Sequence, residues 1–254
     1  MIGIVGGVGP YAGIDLLKNI YDNTLAQKDQ DYLNTLLFSL SAKILDRTEY
    51  LMGAISENPG HEMAKIVLVM EKLGVKVVGI PCNTAHSQRI FSVILEELQK
   101  NESKVKMVHM IQETIDFIKV NFPNFKKIGT LSTTGTYRYK LYSNALTENG
   151  FVPLQPSLEM QEELVHPAIY HPEYGIKSQF NPHHPQARIN LDLAIDYLRD
   201  QGAEAVILGC TEIPLVIDSK EVKGLTMINP TNVLARKLIQ HIAPNKLKPL
   251  KIHE

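Results

Sequence analysis

The sequence predicts an α/β protein of two similar Rossmann-like units with mainly parallel sheets, related by a pseudo-two-fold axis, with the active site in the cleft between them. Short, β-rich apolar runs alternate with longer amphipathic runs along the 254 residues, the pattern of helices packed on parallel sheets. A chain of this length makes one large domain or two small ones. The two cysteines, Cys82 and Cys210, end matching strands in the two halves.

Residues 1–5 read as a buried strand, 6–10 as a Gly/Pro turn and 11–25 as an amphipathic helix. A strand follows at 33–41, then a helix at 61–73 ending near Gly74, a strand at 75–81 and a helix at 85–100. Next come a short strand at 105–110, a helix to 120, a Pro123-Asn124 turn, a strand at 127–132, a helix at 137–149 and a short strand at 151–154. Residues 166–185 hold four prolines and four of the nine histidines and read as a long functional loop. A helix at 190–201, strands at 205–209 and 225–228, and a helix at 232–242 complete the chain. The first unit is expected to take residues 1–104 plus 222–254, and the second 105–221.

Lys and Arg number 26 and Asp and Glu 27, for a net charge of −1. Such a balance gives no electrostatic footprint for nucleic acid or an anionic membrane. No uncharged stretch reaches the ~18 residues a membrane helix needs. The N-terminus lacks the basic region of a signal peptide, so a cytoplasmic protein is expected. Two cysteines exclude a disulfide scaffold or a Cys-rich metal site. His166, His171, His183 and His184 match no standard zinc spacing, and no metal is expected.

Gly74 lies eight residues before Cys82, and Gly202 eight before Cys210 (82 − 74 = 210 − 202 = 8). Ile2-Gly3-Ile4 and Ile128-Gly129-Thr130 each open a strand that runs into a polar turn, at an offset of 126 (128 − 2), against 128 (210 − 82) for the cysteines. Any α/β chain repeats strand–helix units, but that does not bring both cysteines to equivalent strand ends. A duplication does.

Ligands of parallel sheets bind beyond the carboxyl ends of the strands. Two thiols facing each other there suit proton transfer at carbon, one removing a proton while the other delivers one to the opposite face. That inverts a stereocentre without a cofactor. Asn83, Thr84 and Thr211 add small polar groups where strand gives way to helix, and a helix N-terminus there would bind a carboxylate. An isolated cysteine usually only packs; the paired context favours chemistry.

Gly6-Gly7-Val8-Gly9-Pro10, Asp46-Arg47-Thr48, Pro81-Cys82-Asn83-Thr84-Ala85-His86 and Leu208-Gly209-Cys210-Thr211-Glu212-Ile213-Pro214-Leu215 resemble the cofactor-independent aspartate/glutamate racemase family, in its aspartate racemase branch. The resemblance covers essentially the whole chain. It implies an amino-acid substrate, no cofactor, a homodimer, and Cys82 and Cys210 as the two acid/bases. It also implies substrate contacts from Gly9, Asn83, Thr84, Thr211 and the Thr133-Thr134-Gly135-Thr136 turn. Arg47 matches a carboxylate-binding arginine of that branch. Lys177 matches a second carboxylate reader, in an unfamiliar Pro/His-rich setting. His86 reads as a packing or capping residue, and Glu212 as either an orienting group for Cys210 or a surface charge.

Three other readings compete. Gly7-Val8-Gly9-Pro10-Tyr11-Ala12 fits G-x-G-x-x-A, but the acidic residue expected at the end of the second strand is missing. Pro10 also removes an N–H that a phosphate could use. A broad-specificity or glutamate racemase, or a hydantoin racemase, maleate isomerase or malonate decarboxylase type of enzyme, uses a similar cleft; Arg47 favours a dicarboxylate. A non-catalytic amino-acid sensor would need neither thiol.

Overall fold

A computed structural model describes residues 1–179 and 182–250. Residues 180–181 of the expected loop and 251–254 of the expected first unit lie outside the described residues.

The first sheet contains β1 (Ile2–Gly6), β2 (Thr35–Ser39), β3 (Val77–Gly79) and β4 (Lys106–Val108), all parallel, in the order β2-β1-β3-β4. The second contains β5 (Lys127–Ser132), β6 (Val152–Leu154), β7 (Ala205–Gly209), β8 (Glu221–Val222) and β9 (Leu225–Ile228), in the order β6-β5-β7-β9-β8. Only the β8–β9 pair is antiparallel. Without β8 the two orders are the same. The registers agree too, Ile2 pairing with Val77 and Ile128 with Ala205. The sequence duplication is therefore a duplication of topology.

Helices cover both faces of each sheet. On the first, α1 (Pro10–Asp22) and α11 (Pro230–Ile242) bury Leu16, Ile20, Leu234 and Leu238 against Ile2 and Ile4. On its other face α3 (Pro59–Lys72) and α4 (Gln88–Lys100) bury Met63, Val67, Ile90 and Ile94 against Val5 and Val78. On the second sheet α5 (Met110–Asn121) and α7 (Leu141–Glu148) pack Ile115, Ile118 and Leu146 on Ile128 and Ile207. Its opposite face receives α9 (His166–Tyr170) and α10 (Pro185–Asp200). No described helix is long and apolar enough to cross a membrane.

Sheet membership moves the expected boundaries. β4 belongs to the first sheet although it lies beyond residue 104, and β8 and β9 belong to the second although β9 lies beyond 221. The chain changes sides after each of these last strands. Thus α5 follows a strand of the first sheet yet packs on the second, and α11 follows a strand of the second yet packs on the first.

The glycine stops of the two halves are equivalent. Gly74 and Gly202 follow α3 and α10 in left-handed conformation, φ 89° and 84°. Val75 N then donates to Met70 O and Ala203 N to Leu198 O, the hydrogen-bonded closure that glycine after a helix permits.

Three expected elements change. The 137–149 helix is split into α6 (Thr134–Arg138) and α7 by Lys140, at φ 52°. The expected 166–185 loop begins as helix, because α8 (Leu158–Met160), a π-helical turn at Gln161–Val165 and α9 run on without a break. α10 starts at Pro185, five residues before 190, with His184 Nδ1 accepting from Gln186 N at 3.1 Å; proline in a helix's first turn is a start signal rather than a loop signal. An unexpected helix, α2 (Arg47–Met52), is capped by Asp46, whose Oδ1 accepts from Glu49 N at 2.9 Å, and is stopped by left-handed Gly53.

Gly3 and Gly129 occupy equivalent positions on β1 and β5, but their clearances differ. A Cβ on Gly3 would lie 2.7 Å from Val75 Cγ1 and 2.9 Å from Val78 Cγ2, whereas on Gly129 the nearest atom is Leu198 Cδ1 at 3.0 Å. Gly3→Ala should therefore cost about 1–3 kcal/mol in urea unfolding through overpacking, and Gly129→Ala clearly less.

Candidate active site

Each cysteine follows the central strand of its sheet and opens the same tight turn. Ala85 N donates to Cys82 O at 3.2 Å, and Ile213 N to Cys210 O at 3.0 Å. Both thiols are free and buried, 7% and 3% exposed, and both line one cleft between the sheets. Thr211 Oγ1 donates to Pro81 O at 3.2 Å and so ties one cysteine turn directly to the other.

Small polar groups form one wall. Thr84 Oγ1 is 3.0 Å from both Thr133 Oγ1 and Thr136 Oγ1. Buried Tyr142 donates to Asn83 Oδ1 at 2.6 Å, while buried Asn83 Nδ2 has no hydrogen-bond partner among the described residues. An amide donor held this way is available to a ligand carboxylate. The expected helix N-terminus at Asn83–Thr84 is instead a short 3₁₀ turn, Asn83–His86, and α4 begins at Gln88. Behind this turn His86, 3% exposed, places Nδ1 2.9 Å from Cys82 O. Burial, then neighbouring His109, pushes its pKa down to about 3, so it packs as a neutral ring.

The facing wall carries charge. Arg47 is 8% exposed. Its Nη1 donates to Leu45 O at 3.0 Å, its Nε has no partner among the described residues, and it lines the same cleft as Cys82. Lys177 Nζ reaches Glu212 Oε1 at 2.9 Å and lies 5.5 Å from the Tyr170 ring centroid. Glu212 Oε2 accepts from Cys210 Sγ at 3.0 Å and lies 3.2 Å from Thr211 Oγ1, whose single O–H it shares with Pro81 O. Burial would raise the Glu212 carboxyl, but Lys177 and the donated hydrogen bonds hold it below its ordinary value. Burial would lower Lys177, but Glu212, Cys210 and Tyr170 together outweigh it and hold the ammonium above its ordinary value. For Cys210, burial and the Glu212 carboxylate both act upward and lift the thiol well above its usual range.

Of the residues singled out in the sequence, Arg47, Cys82, Asn83, Thr84, Thr133, Lys177, Cys210 and Thr211 line this cleft. The other members of the 133–136 turn stand back from it. Thr136 supports Thr84, Thr134 Oγ1 pairs with His166 Nδ1 at 2.9 Å, and Gly135 packs on Thr48. Gly9 lines a neighbouring cleft, divided from the first by Asp46, Arg47, Lys177 and Glu212. A Cβ on Gly9 would fall 2.3 Å from Glu212 Oε1, so this glycine makes room for a carboxylate. Tyr170 and Thr48 also line this cleft, their hydroxyls 3.5 Å apart; Tyr170 lies in the stretch that reads as loop. Among the described residues, no three His, Cys, Asp or Glu side chains gather as metal ligands.

Residues 5–238 match the family described as Asp/Glu/hydantoin racemase. The chain belongs to that family. As a member it is an amino-acid racemase that works without pyridoxal phosphate. The racemase is similar to the broad-specificity amino-acid racemase RacX of Bacillus subtilis, at 26% identity over 249 residues, covering 94% of this chain and 96% of the relative. An aspartate racemase structure from Picrophilus torridus superposes with a TM-score of 0.75 and 26% identity, covering 94% and 93% of the two chains. A structure of an aspartate racemase homologue from Pyrococcus horikoshii shares the fold, with a TM-score of 0.72 and 24% identity over 94% of this chain and 97% of that one.

The buried His86 sets an acid limit on the racemase. Its folded pKa of about 3 lies below the ordinary 6.5, so between these values the unfolded chain binds a proton that the folded one does not. The stability from neutral burial is full above pH 6.5 and falls as pH drops. Unfolding free energy should decline by about 2 kcal/mol from this group between pH 7.5 and 5. In His86→Gln, urea titrations at the two pH values should show a correspondingly smaller difference.

Proposed function

We propose that this racemase inverts the Cα of an amino acid, principally aspartate, by two-base proton transfer between Cys82 and Cys210. The observation that carries the reading is that both sulfurs line one cleft from the ends of equivalent strands. In one direction the Cα–H bond breaks, its proton passes to the thiolate of one cysteine and its electron pair stays on Cα. The S–H bond of the other cysteine then breaks as its proton joins the opposite face. We assign Cys82 to the D-enantiomer and Cys210 to the L-enantiomer.

Asn83, Thr84, Thr133 and Thr211 fit the α-carboxylate and ammonium groups, which need small donors and acceptors at close range. The side-chain carboxylate needs a cation, because burying it unpaired costs several kcal/mol. Arg47 suits this task, having buried N–H groups and a planar fork, and Lys177 adds a second positive charge. A cytoplasmic homodimer is the form that the family resemblance supports. A second reading, broad specificity, is favoured by the likeness to RacX and by the pairing of Lys177 with Glu212, which leaves Arg47 as the less neutralised cation.

The test follows single enantiomers of aspartate, glutamate and neutral amino acids in deuterated water, recording chirality and α-deuteration. Cys82→Ser and Cys210→Ser should each abolish racemisation; full activity in either refutes the pair. Arg47→Ala should raise KM for aspartate by the equivalent of about 2–5 kcal/mol and affect a neutral amino acid far less. Faster turnover of alanine or methionine than of aspartate by the unmodified enzyme decides for broad specificity.

A further inference from the structure

The halves share a backbone, but their sulfurs have opposite companions. Resting on the two-base reading, we infer that the unliganded enzyme stores its exchangeable proton on Cys210, with Glu212 as the positioning residue that keeps it there, and leaves Cys82, beside Arg47, as the base.

The hydrogen-bond directions require this placement. Glu212 Oε1 accepts from Lys177, and Oε2 accepts from Cys210 Sγ at 3.0 Å and lies 3.2 Å from Thr211 Oγ1. A carboxylate so surrounded by donors is ionised, and an ionised carboxylate at 3.0 Å holds a thiol and repels a thiolate. The charged or titratable groups facing Cys210 are Glu212, Lys177 and Tyr170. Those lining the cleft near Cys82 are Arg47 and Asp46, so a cation is among the companions of the first sulfur, whereas a carboxylate accepts directly from the second. Gly9 supports the arrangement by leaving space for Oε1.

The consequence is kinetic asymmetry. An enantiomer that presents its α-hydrogen to Cys82 meets, on its opposite face, an acid already in place. Its turnover leaves Cys82 as thiol and Cys210 as thiolate against the Glu212 carboxylate. That product form returns to rest when Cys210 takes a proton from water and Cys82 gives one up. The opposite enantiomer must wait for this less stable form.

Alkylation by iodoacetamide in the absence of substrate, with peptide mapping of both cysteines over time, tests the inference. In the unmodified enzyme at neutral pH, Cys82 should be carboxamidomethylated first and Cys210 about tenfold or more slowly. Glu212→Gln removes the anion and should speed Cys210 relative to Cys82. Lys177→Met removes the opposing cation and should slow Cys210 further, while Lys177→Arg should restore the original ratio. Burial alone would not move the ratio in opposite directions for the two charge changes. Faster labelling of Cys210 in the unmodified enzyme, or a ratio unmoved by either folded variant, overturns the inference, and each variant decides alone if the other fails to fold. Because no substrate is present, a failed racemisation assay would refute the two-base reading while leaving a confirmed labelling order intact.

Discussion

The carboxylate of Glu212 is the group on which the rest of the site depends. One oxygen holds Lys177, brought from the segment after α9, and the other receives Cys210 and lies beside the Thr211 hydroxyl. Thr211 in turn reaches Pro81, next to Cys82. A single buried anion thus joins the second cysteine turn, the distal lysine and, through one hydroxyl, the first cysteine turn. A charge buried to this degree is stable because donors surround it.

The scaffold beneath is held by an exchange of helices. Each sheet ends in a strand whose following helix packs on the other sheet: α5 leaves the first, α11 leaves the second, and the two helices pack against each other. The connection brings the carboxyl ends of β3 and β7 to one cleft and ties the stability of each half to the other. It gives the two cysteines matching backbone turns, so the difference between them comes from side chains: Asn83 and Thr84 after one, Thr211 and Glu212 after the other.

The alternation of apolar runs, the matched glycines and the two cysteines made the α/β class, the duplication and most of the cleft legible in the sequence. Strands β5, β7 and β9 fall where their β-branched runs place them. The misreadings have physical causes. Asp46 capping α2 three residues before Glu49 is a start signal, but the helix is too short for its periodicity to register. Pro185 opens α10, and Pro167 follows directly on the π-helical turn inside a continuous helical run, so neither proline marks the loop that its residue type suggests. Sheet membership near residues 105 and 222 is fixed by long-range pairing that no local pattern encodes. Glu212 looks equally like a surface charge until Lys177, distant in sequence, is seen against it.

Gly9 ties the first turn of the chain to that same anion. A methyl group at this position would occupy the volume of Glu212 Oε1. The position is closed to other residues twice over, because the Gly9 backbone, at φ 112°, also disfavours any side chain whatever the space beside it. A side chain at position 9 would therefore both strain the first turn of the chain and displace the carboxylate that meets a cysteine in the other half of the molecule.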